Sequence, residues 1–333
     1  MSDLLVITQA EVPDLLPMAR CIDVMEEALS AVARGDAVLP LRQMVELPSG
    51  DGDLLAVMPA SLAGDAGVKA ITVFPRNEGT ELHAHQGIVV LFETERGRPV
   101  AVIDATAITA IRTAAVSGAA TRALARDHAG DLAILGSGTQ ARTHLEAMAA
   151  VRRLRRVRVW SRNEARARAF ADATAPRTGV EVEVVASAEQ AVEGADIVCT
   201  ATSAREPILR GEWLAAGTHI NAVGYSGRQG RELDGEAVAR SRLFCDRRES
   251  VLNESGDFLL AREESAVDDG HIAGEIGEVF IGKVPGRTSP DEITLFESLG
   301  LAVEDVAAAR AIHDAAVESG VGTRVPLGGL REA

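Results

Sequence analysis

The chain has 333 residues, 47% of them hydrophobic and 25% charged, with a mean hydropathy of +0.08. That length exceeds one compact core and predicts two domains, while the composition excludes wholesale disorder, a collagen-like fibre and a disulfide miniprotein. Acidic residues outnumber basic ones 49 to 34, and the net charge of −15 makes nucleic acid and anionic membranes unexpected partners, although an anionic small ligand can bind where basic groups gather.

Cys21, Cys199 and Cys245 share no CxxC spacing, which fits a reducing compartment and argues against structural zinc, so no metal is expected. The opening MSDLLVITQAEV lacks a basic n-region. No apolar run reaches the roughly 18 residues that a membrane span requires. A soluble, cytoplasmic protein is expected.

In chain order, the first 30 or so residues read as a helix, with Leu15, Leu16, Cys21, Val24, Met25, Ala28 and Leu29 at helical spacing, Asp14 as N-cap and Gly35 as its stop. Short apolar runs broken by turn residues then predict antiparallel strands at 42–47, 54–58, 67–74, 87–92 and 100–104. Residues 107–125 form a small-residue helix. From Asp131 the pattern changes to buried-type strands alternating with helices: strands at 132–135, 157–160, 180–185, 196–201, 219–223 and 243–246. That alternation predicts a doubly wound parallel sheet, an α/β Rossmann domain, beside a second α+β domain. A last helix at 303–319 returns across the domain boundary. The predicted domains are 1–118 with 305–333, and 119–304.

Gly136, Ser137, Gly138, Thr139, Gln140 and Ala141 lie between an apolar strand and a helix, the context that makes GxGxxG/A a dinucleotide signal. The first glycine permits the sharp turn, the second lets the backbone approach a pyrophosphate, and Ala141 stands for the third. A Gly-rich turn without ligand is the plainer alternative. NAD sites usually carry an acid at the end of the second strand for the ribose 2′-hydroxyl. Here Ser161, Arg162 and Asn163 follow that strand, which favours NADP(H) and leaves NAD(H) possible.

Among the 34 basic residues only Lys69 and Lys283 are lysine. Lys69 lies in the apolar run GVKAITVF, where burial would lower its pKa and suit it to proton donation or to clamping a carboxylate. A lysine snorkelling from a strand edge is the bland alternative. Arg112 sits in the otherwise uncharged ITAIRTAAVSGAA, so it calls for a carboxylate from another residue or from a substrate. Arg42 carries the same ambiguity. His83 and His85 have no third ligand nearby and read as turn or dimer-edge residues; Glu254 and Asp257 in NESGD read equally well as helix capping.

Taken in order, VMPA at 57–60, VKAITVFP at 68–75, HQG at 85–87, ITAIRTAAVSG at 108–118, ILGSGTQA at 134–141, EPILRGEWLAAGTHINAVG at 206–224, NESGD at 253–257 and TLFESLGLAVED at 294–305 resemble the ornithine cyclodeaminase/mu-crystallin family. The resemblance implies a homodimer whose N-terminal substrate and dimerisation domain is completed by the C-terminal helix. It also implies that Arg42, Lys69 and Arg112 hold a substrate carboxylate. By the same likeness Thr113, the 136–141 turn, Ser161, Arg162, Ala201, Thr202, Val223, Ser298 and Gly300 contact the cofactor.

Two departures bear on the activity. Ornithine cyclodeaminases carry an Asp where this chain has Ser226, and a Glu where it has Ala56. Without those carboxylates the likeness is to the mu-crystallin branch. It implies an NAD(P)H-dependent reductase of imino acids or cyclic ketimine carboxylates, with an amino-acid dehydrogenase in reverse. Lys69 and Arg112 would then be catalytic, and Arg42, Met58 and Ser226 would join them at the substrate. The alternatives are an NAD-recycling cyclodeaminase and a non-catalytic protein that binds NADP and a small carboxylate. Pocket residues on loops around Met44, Met58, Asn77 and Tyr225 are expected to choose the substrate side chain.

Overall fold

The computed structural model of the protein describes residues 3–48, 52–77, 79–225 and 227–327; Ser226 lies outside them. The chain divides into two compact units, Met1–Arg112 with Leu301–Ala333, and Thr113–Gly300.

The first unit is built on a mixed sheet. Its strands run in the order Thr323–Pro326, Asp3–Ile7, Pro99–Asp104, His85–Glu93, Asp65–Val73 and Leu54–Leu62, and the last of these also pairs with Ala37–Val38 and Gln43–Glu46. Only the Asp3–Ile7 and Pro99–Asp104 pair is parallel. Burial alternates along the strands, as the two-residue pleat requires: Ala56, Met58, Ala60 and Leu62, then Gly67 and Lys69, then Val89 and Leu91, then Ala101 and Ile103 face inward. The helix Ala302–Ser319 covers that face, and Met18–Arg34 packs against the helix.

The helix expected at the N-terminus is shorter than its apolar spacing suggests. Leu4 to Ile7 form a strand, because pairing with Pro99–Asp104 on one side and Thr323–Pro326 on the other satisfies their backbone groups. The helix begins at Met18 after Pro17, with no side-chain cap, and Asp14 belongs to the separate turn Val12–Leu15. Gly35 does end it, at φ +86°, a left-handed conformation that glycine adopts without strain. The run expected at 54–58 continues to Leu62 through Pro59, which falls between the stretches paired with Gln43–Glu46 and Ala37–Val38. A break in pairing is where a residue without an N–H is tolerated.

The second unit is a parallel sheet of eight described strands in the order Val182–Val184, Arg156–Trp160, Asp131–Leu135, Ile197–Thr200, His219–Ala222, Ile293–Glu297, Ser241–Cys245 and Ile272–Glu275. Strand order reverses beside Asp131–Leu135, giving the doubly wound arrangement expected from the sequence and a switch point at which such sheets bind ligands. The small-residue helix Ala105–Leu124 spans the junction of the units in sequence, and from Thr113 onward it belongs to the second. There Ser117 Oγ meets His144 Nε2 at 2.9 Å, and Asn221 Nδ2 donates to Thr121 Oγ1 at 2.9 Å. Burial holds His144 neutral by lowering its pKa to about 4. The strands Ile272–Glu275 and Ile293–Glu297 were not anticipated.

Gly87, in the HQG stretch, is a packing requirement. A Cβ there would lie 2.1 Å from the carbonyl oxygen of Ala70 and 2.7 Å from Ile71 Cα on the neighbouring strand. Both atoms are backbone and cannot step aside. Gly87→Ala is expected to destabilise the protein by about 1–3 kcal/mol, read as a lowered denaturant midpoint at unchanged slope; an unchanged midpoint would contradict this packing.

Candidate active site

The first unit contains a buried network of four charged side chains. Lys69, on the strand Asp65–Val73, is 2% exposed and places Nζ 2.7 Å from Asp305 Oδ2. Arg112, 4% exposed, sends Nε to Asp305 Oδ1 at 3.1 Å and Nη1 to Glu304 Oε2 at 2.7 Å. Asp305 thus bridges the two cations with separate oxygens. Glu304 and Asp305 occupy the first turn of Ala302–Ser319, where the positive end of the helix dipole favours acids.

Local structure explains how this helix reaches the lysine. Asp65, Gly67 and Lys69 alternate onto one face of their strand. Asp65 pairs with Arg310, whose Nε lies 2.9 Å from Oδ2. Lys69 pairs with Asp305. Between them a Cβ on Gly67 would lie 2.8 Å from Val306 Cγ2. Two ion pairs and one missing side chain seat the helix on the strand.

Burial lowers the pKa of Lys69 to about 8; Asp305 works against that shift and Arg112 adds to it. Lys69 is therefore mostly protonated at neutral pH and can lose its proton within a unit or so above it. Arg112 remains charged, since burial opposes the charge but the two acids more than restore it. Its Nε and Nη1 are engaged, which leaves Nη2 as the edge toward any further acceptor.

Met58 pairs in register with Lys69 on the adjacent strand and is 5% exposed, so it lies beside the lysine within the sheet and not on a loop. Arg42 precedes the strand Gln43–Glu46 and is half-buried. His83 meets Gln9 through Nε2 at 3.2 Å, and His85 opens its strand exposed to solvent.

In the second unit, Gly136 has φ +130°, and a Cβ there would lie 2.4 Å from the carbonyl oxygen of Ala201. Its N–H donates to Trp160 O at 2.8 Å, and Ala201 N–H donates to Leu135 O at 2.8 Å. The turn is folded tightly against the ends of the two neighbouring strands. Gly138 is the N-cap of Thr139–Val151, supplies no capping side chain, and has open space where a Cβ would stand. That combination exposes helix N–H groups to an anion, so the residues fit the pyrophosphate of a dinucleotide. Gln140 and Ala141 continue the helix. Ser137 Oγ and Ser161 Oγ are 3.0 Å apart, joining the turn to the end of the second strand, where Arg162 is exposed.

The other positions expected to contact the cofactor lie at strand ends and are held by Glu232 and Asp246, carboxylates that the sequence did not single out. Glu232, fully buried, accepts from Thr202 N, Thr202 Oγ1, Thr200 Oγ1 and Gly224 N at 2.6–2.8 Å. It ties Ala201–Thr202 to the Val223–Gly224 turn. Asp246 accepts from the N–H groups of Leu299 and Gly300, each at 2.7 Å, beside Ser298. Asp257 accepts from Glu232 N at 2.8 Å and Leu233 N at 2.6 Å, while the cap of its own helix is Ser255. Burial and then Glu232 push the pKa of Asp257 up to about 7. Thr113 is buried at the start of this unit's share of the helix.

Residues 2–320 match the sequence model of the ornithine cyclodeaminase/mu-crystallin family. Over 295 residues the chain is 40% identical to the ketimine reductase mu-crystallin of Mus musculus, covering 87% of this chain and 90% of that protein. The structure of Thermococcus litoralis Δ1-pyrroline-2-carboxylate reductase, in complex with NADH and L-proline, superposes with a TM-score of 0.94 at 39% identity, covering 97% of this chain and all of that one. An archaeal alanine dehydrogenase dimer with bound NAD gives 0.92 at 33% identity, covering 98% and 100%.

The Gly136 geometry generates a direct test. Gly136→Ala is expected to weaken coenzyme binding at least about tenfold, a penalty of some 1.4 kcal/mol, measured by quenching of tryptophan fluorescence. Binding at wild-type affinity would show that the close approach to Ala201 is not needed to shape the turn.

Proposed function

The chain belongs to the ornithine cyclodeaminase/mu-crystallin family, and we propose that it is an NAD(P)H-dependent reductase of imino acids or cyclic ketimine carboxylates, an amino-acid dehydrogenase in reverse. The observation that carries this reading is the buried lysine at 2.7 Å from Asp305, beside an arginine. Lys69 and Arg112 balance Glu304 and Asp305 in charge. An iminium carboxylate, itself zwitterionic, adds no net charge to such a site, whereas a lone anion or cation would.

In this reading Arg112, through Nη2, and Arg42 take the carboxylate. Lys69 keeps the imine nitrogen protonated, so that a hydride adding to carbon meets an electrophilic C=N⁺ bond and leaves a neutral amine. A reduced nicotinamide, when bound, would supply that hydride. Gly136–Ala141, Ser161, Thr202 and Gly300 would hold the coenzyme. Where cyclodeaminases carry a glutamate, the chain buries Ala56 on the same strand face as Met58, so no second acid is present there to handle a further amine.

Ser161 and Arg162 favour NADPH, with the guanidinium on the 2′-phosphate; the two solved relatives carry NADH and NAD. A homodimer formed through the first unit is supported by its outer sheet face. There Val57, Pro59, Val68, Ala70, Val90 and Val102 are half-buried and Ile88 is 44% exposed, an apolar surface suited to a second copy. The three free cysteines are buried and fit a reducing cytoplasm. No helix among the described residues is long and apolar enough to cross a membrane.

The test follows nicotinamide absorbance with NADPH and NADH against Δ1-pyrroline-2-carboxylate, its six-membered homologue and 2-oxo acids with amines. Substrate-dependent loss is expected, steady below pH 8 and falling above it as Lys69 loses its proton, with the oxidative direction rising instead. Lys69→Ala is expected to cut turnover roughly 10²–10⁴-fold while leaving coenzyme affinity unchanged. No loss with either coenzyme, together with conversion of ornithine to proline, would replace this reading with cyclodeamination.

Arg162→Ala is expected to raise the KM for NADPH roughly 10–100-fold, the worth of one charged hydrogen bond, with the KM for NADH unaltered. Equal effects on both coenzymes would remove the 2′-phosphate role.

A further inference from the structure

We propose that Asp305 is a positioning residue that keeps Lys69 protonated and aimed, so that this carboxylate on the C-terminal helix sets the alkaline limit of imine reduction; the proposal rests on the reading of Lys69 as proton donor. The geometry gives Asp305 that place. One of its oxygens lies 2.7 Å from Nζ and the other 3.1 Å from Arg112 Nε, and all three side chains are buried. The ammonium is therefore held against one acid from a helix whose seat is fixed five residues on by Arg310 and Asp65.

The charged and titratable groups facing the lysine are few. Glu304 and Asp305 come from the helix Ala302–Ser319, Arg112 from Ala105–Leu124 and His85 from the neighbouring strand, while Cys21 on Met18–Arg34 feels Arg112 and Glu304. Asp305 is the foremost group favouring the ammonium. Burial and Arg112 both oppose it, and Glu304 contributes less. With Asp305 neutral, the two opposing influences act almost alone and Lys69 loses its proton at lower pH. Reduction should then fail earlier on the alkaline side. Because Asp305 also orients Arg112, loss of activity by itself would not distinguish aiming the lysine from supporting the arginine. A proton readout does.

The chain suits such a readout, since Lys69 and Lys283 are its only lysines. Lys283 is exposed and pairs with Glu278 at 2.6 Å. Protein labelled with ¹³C-lysine gives two side-chain signals, assigned with Lys283→Arg and titrated by NMR beside the pH–rate profile. In the wild type, Lys69 is expected to titrate near 8, with the reduction rate falling through the same pH. In Asp305→Asn, both the titration and the alkaline limb are expected to move down by about one unit or more, the worth of a close opposite charge, while Lys283 stays in place. Glu304→Gln, which removes the acid paired with Arg112 and the weaker of the two acidic influences on Lys69, is expected to move them less.

An unmoved Lys69 signal in Asp305→Asn, in an enzyme that Lys69→Ala inactivates, overturns the role of Asp305 and leaves the lysine as donor. Near-normal turnover in Lys69→Ala instead overturns the donor reading. Should Asp305→Asn not fold, the wild-type titration decides: a Lys69 that loses its proton below neutrality overturns the proposal, and one that titrates near 8 together with the rate supports it.

Discussion

Two cations and two carboxylates buried together form the constraint around which the first unit is arranged. Ion pairs of this kind are poor sources of stability, because removing both charges from water costs about as much as their attraction returns. They are intolerant of partial loss, since deleting one member strands a buried charge at a cost of about 3–5 kcal/mol. The pairs join residues separated by 192 and 193 positions in the case of Arg112. The C-terminal helix must therefore return to the sheet for the first unit to be complete. Gly67 is bare for that reason, and Arg310 meets Asp65 at the far end of the same contact.

The second unit solves a different problem with the same chemistry. Parallel strands end in turns whose N–H groups lose their ladder partners, and at a coenzyme site those turns must be both exposed and rigid. Glu232 and Asp246 answer this by accepting backbone donors from the turns while being buried themselves. The demand on Glu232 is specific. Each of its oxygens faces one backbone N–H, Thr202 on one side and Gly224 on the other. A backbone N–H cannot reverse its role, so an amide side chain would set donor against donor in either orientation. Only a group that accepts on both sides fits.

How much of this was legible depended on whether the cause was local. The turn at Gly136 was readable because strand, glycines and helix are contiguous, and the structure places Gly136 against Ala201 as such a turn needs. Arg112 was readable in part, since a charge inside an apolar helix announces an unmet need for a carboxylate. Which carboxylate supplies it could not be read, because Glu304 and Asp305 lie almost two hundred residues away. A signal existed at 301–309, where two adjacent acids interrupt an otherwise apolar stretch. Glu232 gave no such sign, as RELD between turn residues looks like ordinary surface. Leu4 to Ile7 misled for the same reason in reverse: four apolar residues carry no period, and only partners at 101–103 and 323–325 make them a strand.

The choice of lysine at position 69 follows from that network. In a chain whose other cations are nearly all arginine, composition alone would have placed an arginine there. Arginine offers a planar fork and a charge it never gives up. That suits position 112, where Nε and Nη1 must satisfy two acids at once. If Lys69 is the proton donor proposed above, the same permanence would be a defect at position 69, since a group that cannot release its proton cannot supply one. Lysine can, provided burial brings its pKa down toward neutrality and an acid stops the fall. Asp305 touches both cations and treats them differently. It meets the arginine at Nε and the lysine at Nζ, where its charge opposes the effect of burial on the ammonium.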